Sequence, residues 1–273
     1  MLRQRLITAA VLLVIVTSAV LWLPPRGFRW FVALVILLGA WEWGAMLKLS
    51  MTQRGAYLAL CAALMSALRL GGSAVVLPLM WVSVLWWLWA FTLVLRYPRA
   101  GLWWQPVPLA LLAGLIVLVP GFAALSELRT LEHYGWAIAA FITLVAAADS
   151  FAYFTGRALG RRALAPLISP NKTWEGVLGG MTGCVVLGGA GLWWLSLERA
   201  LSVNACLLAL LGCLTLAAFS VVGDLFESMF KRYCQVKDSG SLLPGHGGIL
   251  DRLDSITAAA PLYVLVLHGL GLL

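Results

Sequence analysis

Apolar residues fill most of the chain in long stretches, and polar residues are confined to the short intervals between them. The stretches are about 18 to 22 residues long, close to the roughly 20 helical residues that cross the hydrocarbon core of a bilayer. We therefore predict an all-α polytopic membrane protein with about nine transmembrane helices. The predicted spans are Leu6–Leu23, Phe28–Leu47, Ala56–Leu70, Ala74–Leu95, Val107–Leu125, Gly135–Thr155, Val177–Leu195, Val203–Phe226 and Ser255–Leu272.

Composition and charge fit this topology. Hydrophobic residues make up 62% of the chain and charged residues 11%, which excludes a soluble protein. With a cytoplasmic amino terminus and an external carboxyl terminus, fourteen of the 19 Lys and Arg residues fall on the cytoplasmic side, as the positive-inside rule requires. The net charge of +8 then indicates topology and attraction to anionic lipid, and no nucleic-acid partner is expected.

Acidic residues divide the chain unequally, because only three of the 11 precede Asp149. Residues 1–134 are therefore interpreted as transmembrane scaffold helices, and residues 135–273 as the transmembrane catalytic region with its cytoplasmic loops. No Pro/Gly/Ser-rich linker separates them, so we expect one membrane-embedded unit.

Two polar clusters open the second half on the same predicted side of the membrane. Asp149 lies at the end of the sixth span, where an unpaired charge would be costly, so it should face a polar cavity or a metal unless it pairs with Arg157. In Ser169–Gly176, Lys172 stands at a helix amino terminus, an arrangement suited to phosphate, although capping by Ser169 or Thr173 explains much of this segment.

The third cluster runs from Ser220 to Asp254. Hydroxyl, carboxylate and ammonium groups recur at intervals of three and four on one predicted helical face: Ser220, Asp224, Glu227, Ser228 and Lys231. A glycine-rich loop follows, in which backbone amides could approach an anion closely. Asp251 and Asp254 then stand one helical turn apart.

This combination favours a magnesium-dependent phosphoryl or nucleotidyl transfer site. Mg²⁺ is usually shared between one or two carboxylates and substrate phosphates, and two such ions can stabilise attacking and leaving oxygens together. A solvated charged loop is the alternative, and it is disfavoured because acids at membrane ends lose hydration.

The segment Ser228–Asp254 resembles the signature of the phosphatidate cytidylyltransferase family, also called CDP-diacylglycerol synthases. It has a serine, then Lys231-Arg232, Lys237-Asp238, Leu-Pro-x-His-Gly-Gly, and Asp251-Arg252-apolar-Asp. The segments from Asp149 and from Ser169 look like that family's other recurring segments, except that Asn171 stands where many members have Lys. The resemblance covers the second half of the chain, whereas the first half is similar mainly in being hydrophobic and polytopic.

The resemblance implies transfer of a cytidylyl group from CTP to phosphatidate, giving CDP-diacylglycerol and pyrophosphate, in the inner (cytoplasmic) membrane with the active site on the cytoplasmic side. It implies Mg²⁺ in a two-metal site and leaves a monovalent cation open. The expected metal ligands are Asp224 and Asp251, with Asp149 and Glu227 as secondary candidates. The expected catalytic residues are Asp224, Asp251, Lys237 and His246. The expected substrate-binding residues are Lys172, Ser228, Lys231, Arg232, Gly247, Gly248 and Arg252.

Other functions and residues stay in view. A CTP-dependent lipid kinase would use similar groups, and a cation-coupled transporter could also contain intramembrane acids, although matched repeats typical of transporters are absent from the sequence.

Glu42, inside the second span, should face the interior, which suggests a structural hydrogen bond or a contact in a homodimer. Several tryptophans near span ends suggest an aromatic belt: Trp86, Trp87, Trp89, Trp103, Trp104, Trp193 and Trp194.

Overall fold

The computed structural model describes residues 2–99, 107–131, 134–198 and 201–273. Within these ranges the chain forms nine α-helices and two short β-strands. The helices are α1 (Leu2–Trp22), α2 (Pro25–Met46), α3 (Met51–Gly71), α4 (Ser73–Leu95), α5 (Val107–Leu128), α6 (Tyr134–Leu159), α7 (Trp174–Glu198), α8 (Val203–Tyr233) and α9 (Leu250–Gly269). The strands β1 (Ala163–Ala165) and β2 (Ser169–Thr173) form an antiparallel hairpin between α6 and α7.

The polytopic, largely helical architecture agrees with the sequence prediction, and one helix corresponds to each predicted span. Seven of the described helices are long and apolar enough to cross a membrane. Helices α3 and α9 fall outside that group, and polar residues such as Gln53 and Arg54 in α3 and Asp251 and Arg252 in α9 dilute their apolar character. The number of nine spans and the sides of the two termini stay predictions, and the hairpin was not predicted.

Large apolar side chains cover the outside of the bundle. Leu13 is 69% exposed, Leu85 64%, Leu178 62% and Leu207 60%, although they lie on four different helices. Such a surface would be unfavourable in water, whereas lipid tails are as apolar as these side chains. The exposed faces are therefore the lipid-contacting faces of a membrane protein.

Helices α6 and α7 approach closely because glycines of α7 face the backbone of α6. A Cβ atom at Gly180 would lie 3.4 Å from the carbonyl carbon of Ala148, and one at Gly176 would lie 2.8 Å from the carbonyl oxygen of Ala152. Small residues four apart allow this kind of backbone contact between membrane helices. The close packing brings the end of α6 that carries Asp149 beside the start of α7.

Helices α8 and α9 lie side by side at the centre of the bundle. At Gly223 of α8, a Cβ atom would be only 2.7 Å from the Cβ of Ala258 in α9. The hydroxyl of Ser255 in α9 donates a hydrogen bond of 3.2 Å to the carbonyl oxygen of Ser220 in α8. These contacts fix the two helices that carry four of the eight acidic residues of the second half.

Aromatic side chains from the first half of the chain pack against a buried face of α8. The indole of Trp43 in α2 stacks on Phe230 with ring centroids 4.2 Å apart, and Trp87 in α4 meets Phe226 edge-on at 5.6 Å. Trp87 is only 1% exposed, so its assignment to an aromatic belt was wrong. Trp193 and Trp194 are exposed, as a belt requires, whereas Trp103 and Trp104 lie outside the described residues.

We expect the substitution Gly223→Ala to destabilise the protein. The added methyl group would collide with Ala258 and with the backbone of Asp254, and overpacking of this kind costs about 1–3 kcal/mol. Gly191→Ala in α7 is the matched control, because a Cβ there meets nothing within 4 Å. Thermal unfolding in detergent, followed by tryptophan fluorescence, should give a lower Tm for Gly223→Ala and an unchanged or higher Tm for Gly191→Ala. Equal Tm values for the two variants would contradict the close packing of α8 on α9.

Candidate active site

Lys231, in the last turn of α8, forms the centre of a buried charge cluster. Its Nζ lies 2.9 Å from Oε2 of Glu227, one turn earlier on α8, and 2.6 Å from Oδ1 of Asp251 on α9. The three side chains are between 4% and 12% exposed. Because a buried charge needs a partner, the ammonium group compensates the acidic side chains around it and ties α8 to α9.

The second oxygen of Asp251 holds the glycine-rich loop. Oδ2 accepts hydrogen bonds from the backbone amide of Ser239 at 3.0 Å, from its hydroxyl at 2.9 Å, and from the amide of Gly248 at 2.7 Å. Burial acts to raise the pKa of Asp251, but the hydrogen bonds from Lys231, Gly248 and Ser239 outweigh it and hold that pKa below its usual range. Asp251 is therefore an ionised group that organises the loop.

A second ion pair joins the β-hairpin to α8. Lys172 in β2 pairs with Asp224 in α8, and Ser228 donates a hydrogen bond of 3.2 Å to Oδ1 of Asp224. The side chains of Lys172 and Asp224 are 27% and 33% exposed, so this pair is more accessible than the Lys231 cluster. The structure thus brings together residues that are 52 positions apart in the sequence.

Asp149 and Asp254 complete the acidic side of this site. Asp149, exposed at the protein surface, lies within electrostatic range of Asp224 and Lys172. Asp254 interacts electrostatically with Asp224, Lys172 and Lys231. Carboxylates from α6, α8 and α9 therefore surround the same lysines, as expected if the three polar clusters meet on one side of the bundle.

The hairpin is held at its turn and at its junctions with α6 and α7. Arg232, expected to bind substrate, donates from Nε to the carbonyl oxygen of Ile168 at 3.3 Å. Thr173 caps α7 by accepting a hydrogen bond from the amide of Gly176 at 3.1 Å, as predicted. The carboxylate of Glu175 accepts from the amides of Arg161 and Arg162, which closes the turn after α6.

The loop between α8 and α9 carries the remaining expected site residues. Lys237 is exposed, and the guanidinium group of Arg252 donates to the carbonyl oxygen of His246 at 3.1 Å. Nδ1 of His246 is buried and has no hydrogen-bond partner. Arg252 and His246 therefore lie together at the rim of the cluster.

Two glycines of this loop lie where a side chain would not fit. Gly247 has a φ of 79°, in the left-handed region, and a Cβ there would lie 2.6 Å from Oδ2 of Asp251. Gly248 is buried and donates its amide to the same oxygen. In this structure the Gly248 amide binds the protein's own carboxylate, whereas the sequence favoured an anionic ligand. Its role in substrate binding stays a prediction.

Two residues with direct contacts in this region were not among the expected site residues. Ser239 donates to Asp251, and Glu42 of α2 contacts Ser239 and the amide of Leu250. An isolated acid within an apolar span was the only sequence signal for Glu42. Nothing in the sequence pattern distinguished Ser239 from other loop serines.

Comparison with known proteins shows which family this chain belongs to. Residues 3–270 match the cytidylyltransferase family. The chain belongs to this family. The match confirms the resemblance inferred from Ser228–Asp254 and extends it over the first half of the chain, which the sequence pattern alone had likened to the family only in being hydrophobic.

Curated relatives of the cytidylyltransferase family cover nearly the whole chain. A phosphatidate cytidylyltransferase of Pseudomonas aeruginosa is 43% identical over 276 residues, covering 99% of this chain and 98% of the relative. A phosphatidate cytidylyltransferase of Haemophilus influenzae is 38% identical over 290 residues, covering 96% and 97%. One of Brucella abortus is 37% identical over 285 residues, covering 97% and 92%.

We expect Lys231→Met to destabilise this cytidylyltransferase strongly. Removal of the ammonium group leaves Glu227 and Asp251 buried without a cation, and breaking a buried pair from one side costs roughly 3–5 kcal/mol. Lys237→Met is the matched control, since the same chemical change there affects an exposed side chain. The measurement is the Tm of both variants in detergent. A Tm for Lys231→Met equal to that of Lys237→Met would show that the cluster does not need its central cation.

Proposed function

We propose that the protein is a phosphatidate cytidylyltransferase, which transfers a cytidylyl group from CTP to phosphatidate and releases pyrophosphate. The proposal rests on near-full-length relatives with that name and on the convergence of Lys172, Asp224, Lys231 and Asp251 at one end of a membrane bundle. The observation that carries it is the alternation of ammonium and carboxylate groups at this end, which suits two anionic substrates together with cations.

The charges of both substrates define the chemical problem. An oxygen of the phosphatidate phosphate must form a bond to the α-phosphorus of CTP while the bond from that phosphorus to the bridging oxygen of the β-phosphate breaks. Pyrophosphate leaves with the electron pair of the broken bond. Because nucleophile and electrophile are both anions, catalysis depends on neutralising and orienting them, and no nucleophile from the protein is needed.

The basic residues are suited to this task. Lys172 is partly exposed beside Asp224, so its ammonium group can turn towards a phosphate without being drawn from a buried position. Lys231 is more deeply held, and we propose that it orients the acidic residues and meets the phosphate that enters furthest. Lys237, Arg232 and Arg252 are exposed and can contact the phosphates nearer to water.

The acidic residues fit Mg²⁺ through the chemistry of their oxygens. No group of three or more His, Cys, Asp or Glu side chains forms a ready metal site among the described residues, but Mg²⁺ commonly needs only one or two carboxylates plus substrate phosphates. Oε1 of Glu227 is buried without a hydrogen-bond partner. Oδ1 of Asp251 makes no loop contact but accepts from Lys231, whose ammonium group a bound ion would displace. We propose Asp224 and Asp251 as Mg²⁺ ligands, with Asp149 and Glu227 as further oxygen donors. Bound Mg²⁺ would supply neutralisation of phosphate charge.

The membrane setting follows from the same proposal. A lipid acceptor enters from the bilayer and CTP from water, so the site should lie at a membrane surface, and the exposed carboxylate of Asp149 suits such a boundary. We propose the inner membrane and its cytoplasmic face, because most basic residues fall on that side of the predicted topology.

Labelled CTP distinguishes the proposed reaction from that of a lipid kinase. Purified protein in detergent is incubated with phosphatidate, Mg²⁺ and CTP carrying label at either the α- or the γ-phosphorus, and label in the extracted lipid is counted. We expect label in lipid from the α-position alone. Label from the γ-position alone would establish a kinase. Label from neither, in protein that unfolds cooperatively, would reject both enzymes and favour transport.

Asp224→Asn tests the acidic ligand set. The neutral amide keeps the size of the side chain but weakens cation binding, so kcat/KM should fall by on the order of 10²-fold or more, while Tm changes little because Asp224 is partly exposed. Glu127→Gln, a similar change at the far end of α5, is the control and should retain activity. If added Mg²⁺ gave the same activity curve for Asp224→Asn and the unaltered protein, Asp224 would not be a ligand.

A further inference from the structure

Glu42 is a buried acid of α2 that lies against the loop carrying the family signature. It belongs to the first half of the chain and is 2% exposed, near the end of α2 that faces the site. Its contacts reach residues about two hundred positions later in the sequence, so they exist only because the bundle is folded. No ion pair involving Glu42 is present among the described residues, which makes its burial costly unless hydrogen bonds compensate.

One oxygen of Glu42 makes both of its hydrogen bonds. Oε2 accepts from the backbone amide of Leu250 at 2.8 Å and from the hydroxyl of Ser239 at 3.1 Å. Leu250 is the first residue of α9, and Ile249 before it supplies no side-chain cap. Glu42 therefore supplies an acceptor for an amide that α9 leaves unpaired at its amino terminus, where a carboxylate is also favoured by the helix dipole.

The loop fits around Glu42 with no space to spare. A Cβ atom at Gly240 would lie 2.7 Å from the carboxyl carbon of Glu42, and one at Gly248 would lie at the same distance from it. Both ends of the loop thus pack against a single side chain. The carboxylate of Glu42 therefore lies between Gly240 and Gly248 and holds both in place.

Ser239 connects Glu42 to the charge cluster around Lys231. Its hydroxyl, which has one proton to donate, lies between Oε2 of Glu42 at 3.1 Å and Oδ2 of Asp251 at 2.9 Å, so the two carboxylates share this donor. Asp251 in turn contacts Lys231 at 2.6 Å. A displacement of Glu42 would therefore be transmitted through Ser239 and the first turn of α9 to the residues that we place in the active site.

We propose that Glu42 is a positioning residue for the cytidylyl-transfer site, holding the first turn of α9 and the loop 239–248 so that Asp251 and Lys231 keep their geometry. The role in turnover rests on the proposed function. Misplacement of catalytic groups by about 1 Å from a distant substitution can cost on the order of 10²-fold in rate. The first half of the chain then contributes directly to the arrangement of the site.

Two substitutions of Glu42 separate positioning from charge. Glu42→Gln keeps an oxygen acceptor for Leu250 and Ser239, so kcat should stay within about threefold of the unaltered protein. Glu42→Ala removes the carboxylate that holds the loop, so kcat should fall roughly 10- to 100-fold, as for other residues that orient an active site. Ile36→Ala is the matched control, since it creates a cavity at a fully buried position on the same helix without touching the loop hydrogen bonds.

Hydrogen exchange measured by mass spectrometry supplies a readout besides activity. In Glu42→Ala, amides of residues 239–250 should exchange faster, while those of α6 and α7 keep their protection. Ile36→Ala should lower Tm but leave kcat of the folded protein and exchange of the loop unchanged. Ser239→Ala, a smaller change in the same hydrogen-bonded chain, should show the same two effects as Glu42→Ala and replaces it if that variant does not fold.

The outcomes that overturn the proposal are specific. The proposal fails if loop exchange and kcat in Glu42→Ala are the same as in Ile36→Ala, because Glu42 would then be a packing residue only. The same comparison applies to Ser239→Ala if that variant has to replace Glu42→Ala. A loss of kcat in Glu42→Gln as large as in Glu42→Ala would assign its effect to charge. Failure of the unaltered protein to form CDP-diacylglycerol would reject the proposed function, while the exchange data would still decide whether Glu42 holds the loop.

Discussion

The site depends on the compensation of charges buried at the end of a membrane bundle. Lys231 stands between Glu227 and Asp251, and without its ammonium group two carboxylates would face each other with little water. Asp251 uses its other oxygen to hold Ser239 and Gly248. Lys231 therefore compensates the buried carboxylates and, by holding Asp251, also helps to position the loop between α8 and α9. The same interaction contributes to both stability and site geometry.

Close helix packing makes this arrangement possible. Gly176 and Gly180 allow α7 to approach α6, and Gly223 allows α8 to approach α9. These contacts bring acidic residues from three helices around shared lysines, while the hairpin carries Lys172 to Asp224. Within a bilayer the hydrophobic effect does not drive helices together, because lipid tails are as apolar as the side chains. Close packing at small residues and buried polar contacts stabilise helix association instead.

The two ion pairs differ in accessibility, and this difference suits distinct tasks. The Lys231 cluster is almost fully buried, whereas Lys172 and Asp224 are about a third exposed. An exposed pair can exchange its partners for ligands at small cost, but a buried pair resists such exchange. The accessible pair can therefore receive phosphate at a smaller cost, while the buried cluster also holds the framework around the site.

Sequence patterns alone predicted the helical membrane architecture, the helix positions and the convergence of three polar clusters, because hydropathy and the spacing of charges are local properties of the chain. The signature Ser228–Asp254 also indicated the family. Sequence could not predict that Asp251 binds the amide of Gly248, that Arg232 anchors Ile168, or that Glu42 contacts Leu250. Those partners are chosen by which helix faces meet, and only the tertiary structure decides this, since a buried carboxylate accepts whichever donors packing brings within reach.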